Sequence, residues 1–171
     1  MTEKLLLNSL ADTEALGKLL AKALLAAPFA VLLYGDLGSG KTTLTRSLVA
    51  ALPGGALAEV SSPSFTICNL YPTEPPVLHC DLYRLGEGAS LPEEAEERLE
   101  DGCILIAEWS EYLRADELPK DRLEISFDIA KKGNHTARAL TLASYGSNAE
   151  RALMDLGRCP FSTVQPVTAH A

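Results

Sequence analysis

One short segment restricts the fold of this chain more than any other part of its sequence. Eight consecutive residues match the pattern G-x-x-x-x-G-K-[ST]: Gly35, Asp36, Leu37, Gly38, Ser39, Gly40, Lys41 and Thr42. In such a loop, glycine-rich backbone and the start of a helix surround phosphate groups. An apolar run at 29–34 precedes this P-loop, and an amphipathic stretch at 41–52 follows it. The sequence therefore predicts a buried strand, a phosphate-binding loop and a helix, in that order.

The side chains of the P-loop suit a nucleoside triphosphate bound together with Mg²⁺. The Lys41 ammonium is expected to reach the β- and γ-phosphates, and the Thr42 hydroxyl to bind the metal ion. Backbone N–H groups from Gly38 to Thr43 would surround the phosphates, because the helix end carries positive partial charge. The predicted nucleotide-binding segment is therefore Gly35 through Thr43.

A magnesium ion on phosphate also needs a carboxylate, which commonly stands at the carboxyl end of a neighbouring buried strand. Glu108 follows the apolar run 103–107, and Asp81 follows the run 77–80. The residues alone leave open which of them is the direct ligand. We favour Glu108 for the metal, directly or through water, and Asp81 for orienting the metal's water shell or a switch loop. The candidate catalytic residues are thus Lys41, Glu108 and Asp81, and the candidate metal ligands are Thr42 and Glu108.

Three residues outside the P-loop are further candidates for the site. Ser64 lies in the hydroxyl-rich segment 61–66, where it could bind the γ-phosphate or metal, although Ser-Pro sequences also form ordinary turns. Trp109, the only tryptophan, could contact nucleotide or a partner, or pack in the core. Arg84 could neutralise phosphate charge or pair with acidic residues.

Hydrophobic periodicity predicts an α/β fold with a P-loop NTPase-like three-layer domain and a mixed parallel/antiparallel central sheet. The predicted strands are Phe29–Tyr34, Ser64–Tyr71, Val77–Cys80, Cys103–Ala107, Leu123–Ile129 and Ala137–Ala143. The predicted helices are a first helix through Leu16–Ala27 that Asp12 can cap, Lys41–Leu52, an acidic surface helix within 87–101, and Asn148–Leu156. Hairpins are expected between the second and third strands and, across a turn at 131–134, between the last two. Residues 1–156 would form a single domain and 157–171 a loosely ordered tail.

Composition argues against several other classes of protein. The 15 Lys and Arg against 23 Asp and Glu give a net charge of −8, so any contact with RNA would need a partner. The longest apolar run, 23–34, is too short to span a bilayer, and the N-terminal residues lack a signal-peptide pattern. We therefore expect a cytoplasmic protein without membrane contact. The four cysteines show no C-x-x-C spacing, which predicts reduced thiols.

Four ordered motifs together resemble the TsaE family, also called YjeE. They are GDLGSGKTT at 35–43, SSPSFT at 61–66, HCDLYRL at 79–85 and AEW at 107–109, and the resemblance covers about residues 10–145. The guanine-recognising N-K-x-D sequence is absent, which disfavours a GTPase. Lys41 and Thr42 match the family's phosphate and metal positions, Asp81 its H-x-D carboxylate, and Glu108-Trp109 its E-W pair. Ser64 stands where the family usually has Thr.

The resemblance implies a bacterial cytoplasmic ATPase required for the threonylcarbamoyladenosine modification of tRNA. It further implies that TsaB and TsaD are the partners, that ATP and Mg²⁺ are the cofactors, and that tRNA is met only indirectly through the complex. Two alternatives stay open at this point. One is a small-molecule kinase, which would need an acceptor pocket and usually an arginine-rich lid that this sequence does not offer. The other is a regulatory module that binds ATP without hydrolysing it.

Overall fold

The computed structural model describes residues 1–128 and 137–158. Its strands are β1 (Thr2–Leu7), β2 (Ala30–Tyr34), β3 (Cys68–Tyr71), β4 (Val77–Asp81), β5 (Ile104–Glu108), β6 (Arg122–Asp128) and β7 (Arg138–Tyr145). Its helices are α1 (Leu10–Ala26), α2 (Lys41–Ala51), α3 (Glu93–Glu100) and α4 (Ser147–Leu156). Short 3-10 turns lie at Gly55–Leu57, Ser110–Tyr112 and Ala115–Glu117.

The strands form one sheet with a parallel centre. The strand order is β1-β7-β6-β2-β5-β4-β3. The strands β6, β2, β5 and β4 run parallel, whereas β1, β7 and β3 join as antiparallel neighbours. This confirms the predicted mixed sheet. Because β2, β5 and β4 are adjacent and parallel, their carboxyl ends meet at one edge, where open α/β sheets commonly bind ligands.

Helices cover both faces of the sheet, which confirms the predicted three layers. Helices α1, α2 and α4 pack on one face against side chains that include Val31, Leu33 and Ile106. Helix α3 packs on the other face, in a cluster with Leu32 and Leu105. Successive side chains of a strand point to opposite faces, so a central strand buried on both faces needs the continuous apolar run that β2 shows.

The first helix begins earlier than its apolar pattern predicts and has a different cap. Helix α1 starts at Leu10, and the hydroxyl of its N-cap Ser9 accepts the Asp12 N–H at 3.2 Å. The Asp12 carboxylate accepts the N–H of Asn8 at 2.7 Å. The prediction of Asp12 as the cap was therefore wrong. Ser9 caps the helix, and Asp12 binds the backbone of the residue that precedes the cap.

The hydroxyl-rich segment is a turn rather than the first half of a strand. Of the predicted strand Ser64–Tyr71, only the part from Cys68 onward is extended in the sheet. Pro63 begins a turn, which the Ile67 N–H closes with a hydrogen bond of 2.7 Å to the Pro63 carbonyl. Ile67 then has φ of +67°, in the left-handed region, which a strand does not contain. The predicted hairpin of β3 and β4 is confirmed.

The other predicted elements lie within two residues of their expected bounds, and the acidic helix occupies 93–100 with its carboxylates exposed. Strands β6 and β7 pair antiparallel as predicted. The end of the predicted strand at Ile129, the turn at 131–134 and the tail from 159 onward lie outside the described residues. Strand β1 was not predicted, because its antiparallel partner β7 comes more than a hundred residues later in the chain. That residues 1–156 form a single domain stays a prediction.

The expectation of four reduced thiols was wrong for one pair. Cys68 and Cys80 lie directly opposite each other in β3 and β4 and form a disulfide. The register of the hairpin brings them together, and no spacing rule for metal or redox motifs would have found them. Cys103 is a free thiol, and Cys159 lies outside the described residues.

No helix within residues 1–128 and 137–158 has both the length and the apolar character that crossing a membrane requires.

A close contact between α1 and α2 fixes the helix that starts at the P-loop. Gly17 of α1 lies so near to α2 that an added Cβ would stand 2.6 Å from the Cβ of Ser47 and 2.8 Å from the backbone nitrogen of Leu48. Real Cβ atoms do not approach this closely, so the backbones of the two helices meet only because position 17 has no side chain. This packing holds α2 against the sheet.

We expect Gly17→Ala to destabilise the protein by about 1 to 3 kcal/mol, because the added methyl group forces the two helices apart. At an open helix position the same change would stabilise by about 0.5 to 1 kcal/mol, so the sign of the effect identifies the contact. The free energy of unfolding in urea measures it. Lys18→Ala, at the exposed neighbour, is the control and should stay within about 0.5 kcal/mol of the parent. A stabilised Gly17→Ala variant would contradict the packing described here.

Candidate functional site

The P-loop connects the end of β2 to the first residue of α2. Gly40 precedes the helix with φ of +118°, a conformation that side-chain-bearing residues rarely adopt. The start of α2 has no side-chain cap. By contrast, Ser9 caps α1, and the Asp121 carboxylate accepts the N–H groups of Asn148 and Ala149 at the start of α4. The first N–H groups of α2 are thus left available for an anion.

Lys41 is almost completely buried, with 4% of its surface exposed, and its ammonium lies inside the loop. It donates to the backbone carbonyls of Gly35 and of Asp36, the latter at 3.0 Å. It also lies over the indole ring of Trp109, 4.1 Å from the ring centroid. Burial lowers the pKa of Lys41, and the nearby Glu108 carboxylate acts in the opposite direction. The ammonium is therefore held at the P-loop and faces the cavity that the loop lines.

Glu108 stands at the end of β5 and connects three elements. Its Oε2 accepts the Thr42 hydroxyl at 2.9 Å, which joins β5 to the start of α2. Its Oε1 lies 2.9 Å from Nε2 of His79 in β4. Glu108 is buried, with only 2% of the residue exposed. Of the two candidate metal acids, Glu108 is therefore the one in direct contact with the P-loop hydroxyl.

Asp81 is the register partner of Glu108 in the neighbouring strand β4. Its carboxylate accepts the hydroxyl of Ser62 and, at 3.1 Å, the backbone N–H of Tyr83. Asp81 is thereby linked to the hydroxyl-rich turn. The link is made by Ser62 and not by Ser64, although Ser64 also lines the cavity.

One cavity of about 430 Å³ brings most of the predicted site residues together. Its lining residues are Leu37, Gly38, Ser39, Gly40, Lys41, Thr42, Thr43, Ser62, Ser64, Asp81, Tyr83, Glu108 and Trp109. Gly35 and Asp36 are not in the lining and contribute the carbonyls that hold Lys41. The lining thus combines one cation, hydroxyl groups and two carboxylates, as a site for phosphate together with a divalent cation requires.

A second cavity of about 250 Å³ lies on the other side of the P-loop. It shares Gly40 and Thr43 with the first cavity, and Arg138 and Phe127 also line it. The Arg138 Nε donates to the carbonyl of Ser39 at 2.8 Å, so β7 supports the loop from this side. Gly40 and Thr43 thus line both cavities.

The donor set at the first cavity fits Mg²⁺. Hydroxyl and carboxylate oxygens are the ligands that this ion prefers, and Thr42 and Glu108 present them side by side. Within residues 1–128 and 137–158, no group of three or more His, Cys, Asp and Glu side chains could hold a metal ion. Mg²⁺ is commonly bound by one or two carboxylates together with substrate phosphates and water. The Ser39 hydroxyl in the P-loop is buried and has no hydrogen-bond partner among the described residues, so a polar ligand in the loop could supply the hydrogen bond that a buried hydroxyl needs.

Trp109 is both a site residue and part of an aromatic cluster. Its φ of +59° turns the chain sharply after β5. The indole stacks on Tyr112 with a centroid distance of 5.9 Å and meets Tyr83 at 4.8 Å. The indole thus packs against the core and also lines the cavity, and its contact with nucleotide or a partner stays a prediction. The guanidinium of Arg84 lies over the ring of Phe65 at 4.6 Å, and its two interpretations stay predictions.

Sequence reasoning named no role for Ser62, His79 or Tyr83. The H-x-D motif did contain a signal for His79. Residues two apart in a strand point to the same face, so His79 must lie on the face of the sheet that carries Asp81. Ser62 could not be distinguished from the other hydroxyls of its segment, because only the fold of the turn selects the one that reaches Asp81.

Comparisons with known proteins identify relatives of the chain. A family model for the threonylcarbamoyl adenosine biosynthesis protein TsaE matches residues 7–139. The tRNA threonylcarbamoyladenosine biosynthesis protein TsaE of Streptomyces coelicolor is 42% identical over 119 residues, which are 67% of this chain and 78% of that protein. Its counterpart in Bacillus subtilis is 34% identical over 149 residues, 86% of this chain and 89% of that protein. The crystal structure of YdiB from Bacillus subtilis is similar with a TM-score of 0.68 and 29% identity, and the match covers 92% and 95% of the two chains.

We expect ATP with Mg²⁺ to change the fluorescence of Trp109, because phosphate should draw the Lys41 ammonium away from the indole face and from the loop carbonyls. Trp109 is the only tryptophan, so the emission has a single source. A fluorescence titration measures the affinity. Lys41→Ala should weaken binding by about 2 to 4 kcal/mol, because a charge-assisted contact to phosphate is lost. An unchanged signal at saturating ATP in the parent protein would contradict this account of the loop.

Proposed function

Because the chain belongs to the TsaE family, which functions in threonylcarbamoyladenosine biosynthesis on tRNA, we propose that it binds and hydrolyses Mg-ATP in support of this modification. TsaB and TsaD are its proposed partners. On this proposal the chain is an accessory ATPase, and the transfer of the carbamoyl group takes place elsewhere in the assembly.

The observation that carries the ATPase proposal is the contact of 2.9 Å between the Thr42 hydroxyl and the Glu108 carboxylate. Thr42 is the last residue of the P-loop motif, and Glu108 stands at the end of β5, the parallel neighbour of β2. Nucleotide hydrolysis needs this pair because a metal ion on the phosphates takes a P-loop hydroxyl and is oriented by a strand-end carboxylate. A turn that merely happened to match the P-loop pattern would not require such an acid.

The two cavities suggest how a nucleotide would lie. The triphosphate would occupy the cavity that Lys41 faces. The nucleoside would extend past Gly40 and Thr43 into the second cavity, whose lining includes the apolar ring of Phe127 and the side chain of Arg138. On this proposal the ligand passes over Gly40 and Thr43, which line both cavities.

Each polar side chain then has a separate task. Lys41 would bind the phosphates and neutralise charge that builds up as the terminal phosphate bond breaks. Thr42 and Glu108 would hold Mg²⁺, which withdraws charge from the phosphate oxygens when bound. Asp81, held by Ser62, would orient water around the ion and connect it to the turn that carries Ser64.

Charge supports the idea that tRNA is met only through partners. The chain has a net charge of −8, and the acidic side chains of α3 are exposed. A polyanion such as tRNA would be repelled by this surface. The carboxylates of α3 are instead suited to a basic surface on a partner protein.

We expect Glu108→Gln to reduce the turnover number for ATP by about 100-fold or more, because the amide keeps the shape of the side chain and loses the negative charge that would hold Mg²⁺ in the transition state. The dissociation constant of ATP should change less than about threefold. Steady-state phosphate release and the fluorescence titration measure the two quantities. Glu94→Gln in the exposed part of α3 is the matched control and should leave both unchanged. Equal losses of turnover and binding would assign Glu108 a structural role instead.

Phosphate release by the chain alone and in the presence of purified TsaB and TsaD tests the function as a whole. We expect the pair to stimulate ATP hydrolysis by at least about tenfold, since an accessory ATPase should be coupled to its assembly. Binding of ATP without turnover under both conditions would favour the regulatory module. Transfer of the terminal phosphate to a small molecule, detected as loss of ATP without free phosphate, would favour a kinase.

A further inference from the structure

His79 is a completely buried histidine beside the candidate site, with no exposed surface. It lies in the middle of β4 opposite Ile106 of β5, two residues before the register pair of Asp81 and Glu108. Since side chains two apart share a face, His79 and Glu108 are diagonal neighbours on the face that α2 covers. From this position the imidazole contacts the Glu108 carboxylate without lining the cavity itself.

The histidine makes a single polar contact, between its Nε2 and Oε1 of Glu108 at 2.9 Å. Its Nδ1 is buried and has no hydrogen-bond partner among the described residues. Because Glu108 as a carboxylate can only accept, the hydrogen-bond network assigns the proton of a neutral ring to Nε2. The ring of Tyr71 lies nearby, with a centroid distance of 6.1 Å, and offers no partner for Nδ1.

A histidine that serves only to fill the core has no need of this arrangement. An apolar side chain would avoid the free-energy cost of a buried Nδ1 without a hydrogen bond. His79 instead leaves Nδ1 without a partner and makes one hydrogen bond, to one oxygen of Glu108. The arrangement thus favours a role that acts on the carboxylate.

We infer that His79 is the positioning residue of Glu108: it holds Oε1 so that Oε2 stays directed at Thr42 and at the metal position. The inference rests on the proposed function. Thr42 cannot fix the carboxylate alone, because its hydroxyl is itself a proposed metal ligand. Outer partners of this kind typically change metal affinity or activity by about 10- to 100-fold.

Two amide variants test the role with nearly the same chemistry. In His79→Gln the amide nitrogen stands about as far along the side chain as Nε2 and can still donate to Glu108. In His79→Asn the side chain is one methylene shorter and cannot reach it. Leu78→Ala, on the opposite face of β4, serves as the control for destabilisation, and the free energy of unfolding is measured for all three.

Two kinds of measurement serve as readouts. The first is the turnover number and the KM for ATP. The second is the Mg²⁺ concentration that gives half-maximal binding of ADP, and Trp109 fluorescence measures that binding. For His79→Asn we expect a turnover number about 10- to 100-fold lower, a KM within about threefold of the parent, and a requirement for about tenfold more Mg²⁺. His79→Gln should restore most of each loss. Leu78→Ala should lower stability and leave the Mg²⁺ requirement unchanged.

A double-mutant cycle decides whether the effect passes through the carboxylate. In a Glu108→Gln background, His79→Asn should change the Mg²⁺ requirement by less than about threefold, because there is no charge left to position. The inference would be overturned if His79→Asn raised the Mg²⁺ requirement equally in the parent and in the Glu108→Gln background. It would also be overturned if Leu78→Ala raised the Mg²⁺ requirement as much as His79→Asn does at a similar loss of stability. Parental kinetics and a parental Mg²⁺ requirement for His79→Asn would overturn it as well. A parent protein that neither binds nor hydrolyses Mg-ATP would instead refute the proposed function, and the inference with it.

Discussion

The hydrogen bond between Thr42 and Glu108 is the contact on which the site depends. It joins the first turn of α2 to the end of β5, two elements 66 residues apart in sequence. Around it, the close approach of α1 and α2 at Gly17 holds the P-loop helix on the sheet, and His79 holds the second oxygen of the carboxylate. Each of these contacts needs a specific residue. Position 17 has no space for a side chain, and the two contacts of Glu108 need a hydrogen-bond donor. The fold thus places one carboxylate beside one hydroxyl, and the remaining site residues surround this pair.

The local part of this arrangement was predictable from the sequence. The strand, the loop and the helix around Lys41 follow from a glycine pattern between two apolar segments. The strand-end positions of Asp81 and Glu108 follow from the apolar runs that precede them. Contacts set by register or by turn geometry were not predictable. Cys68 meets Cys80, and Ser62 rather than Ser64 meets Asp81, only because of the hairpin and its preceding turn. The same limit applies to β1, whose pairing partner is at the far end of the chain.

Charge is arranged at two scales in this protein. Overall the chain is acidic, with a net charge of −8. Locally, the P-loop presents the ammonium of Lys41 and the open N-terminus of α2, and both attract anions. The ammonium is meanwhile bound by the loop's own carbonyls and by Trp109, so a phosphate ligand would have to replace those contacts with stronger ones. Binding of an anion by an acidic protein is thus a property of one loop, and the exposed carboxylates of α3 are left for other interactions.

A crystal structure of the chain with Mg²⁺ and a non-hydrolysable ATP analogue tests the central claim most directly. We expect phosphates inside the loop and the Thr42 hydroxyl on the metal ion, with Glu108 beside it. Lys41 Nζ should bind a phosphate oxygen and no longer the carbonyls of Gly35 and Asp36. Nucleotide bound away from residues 35–43, or a metal ion without contact to Thr42 and Glu108, would contradict it.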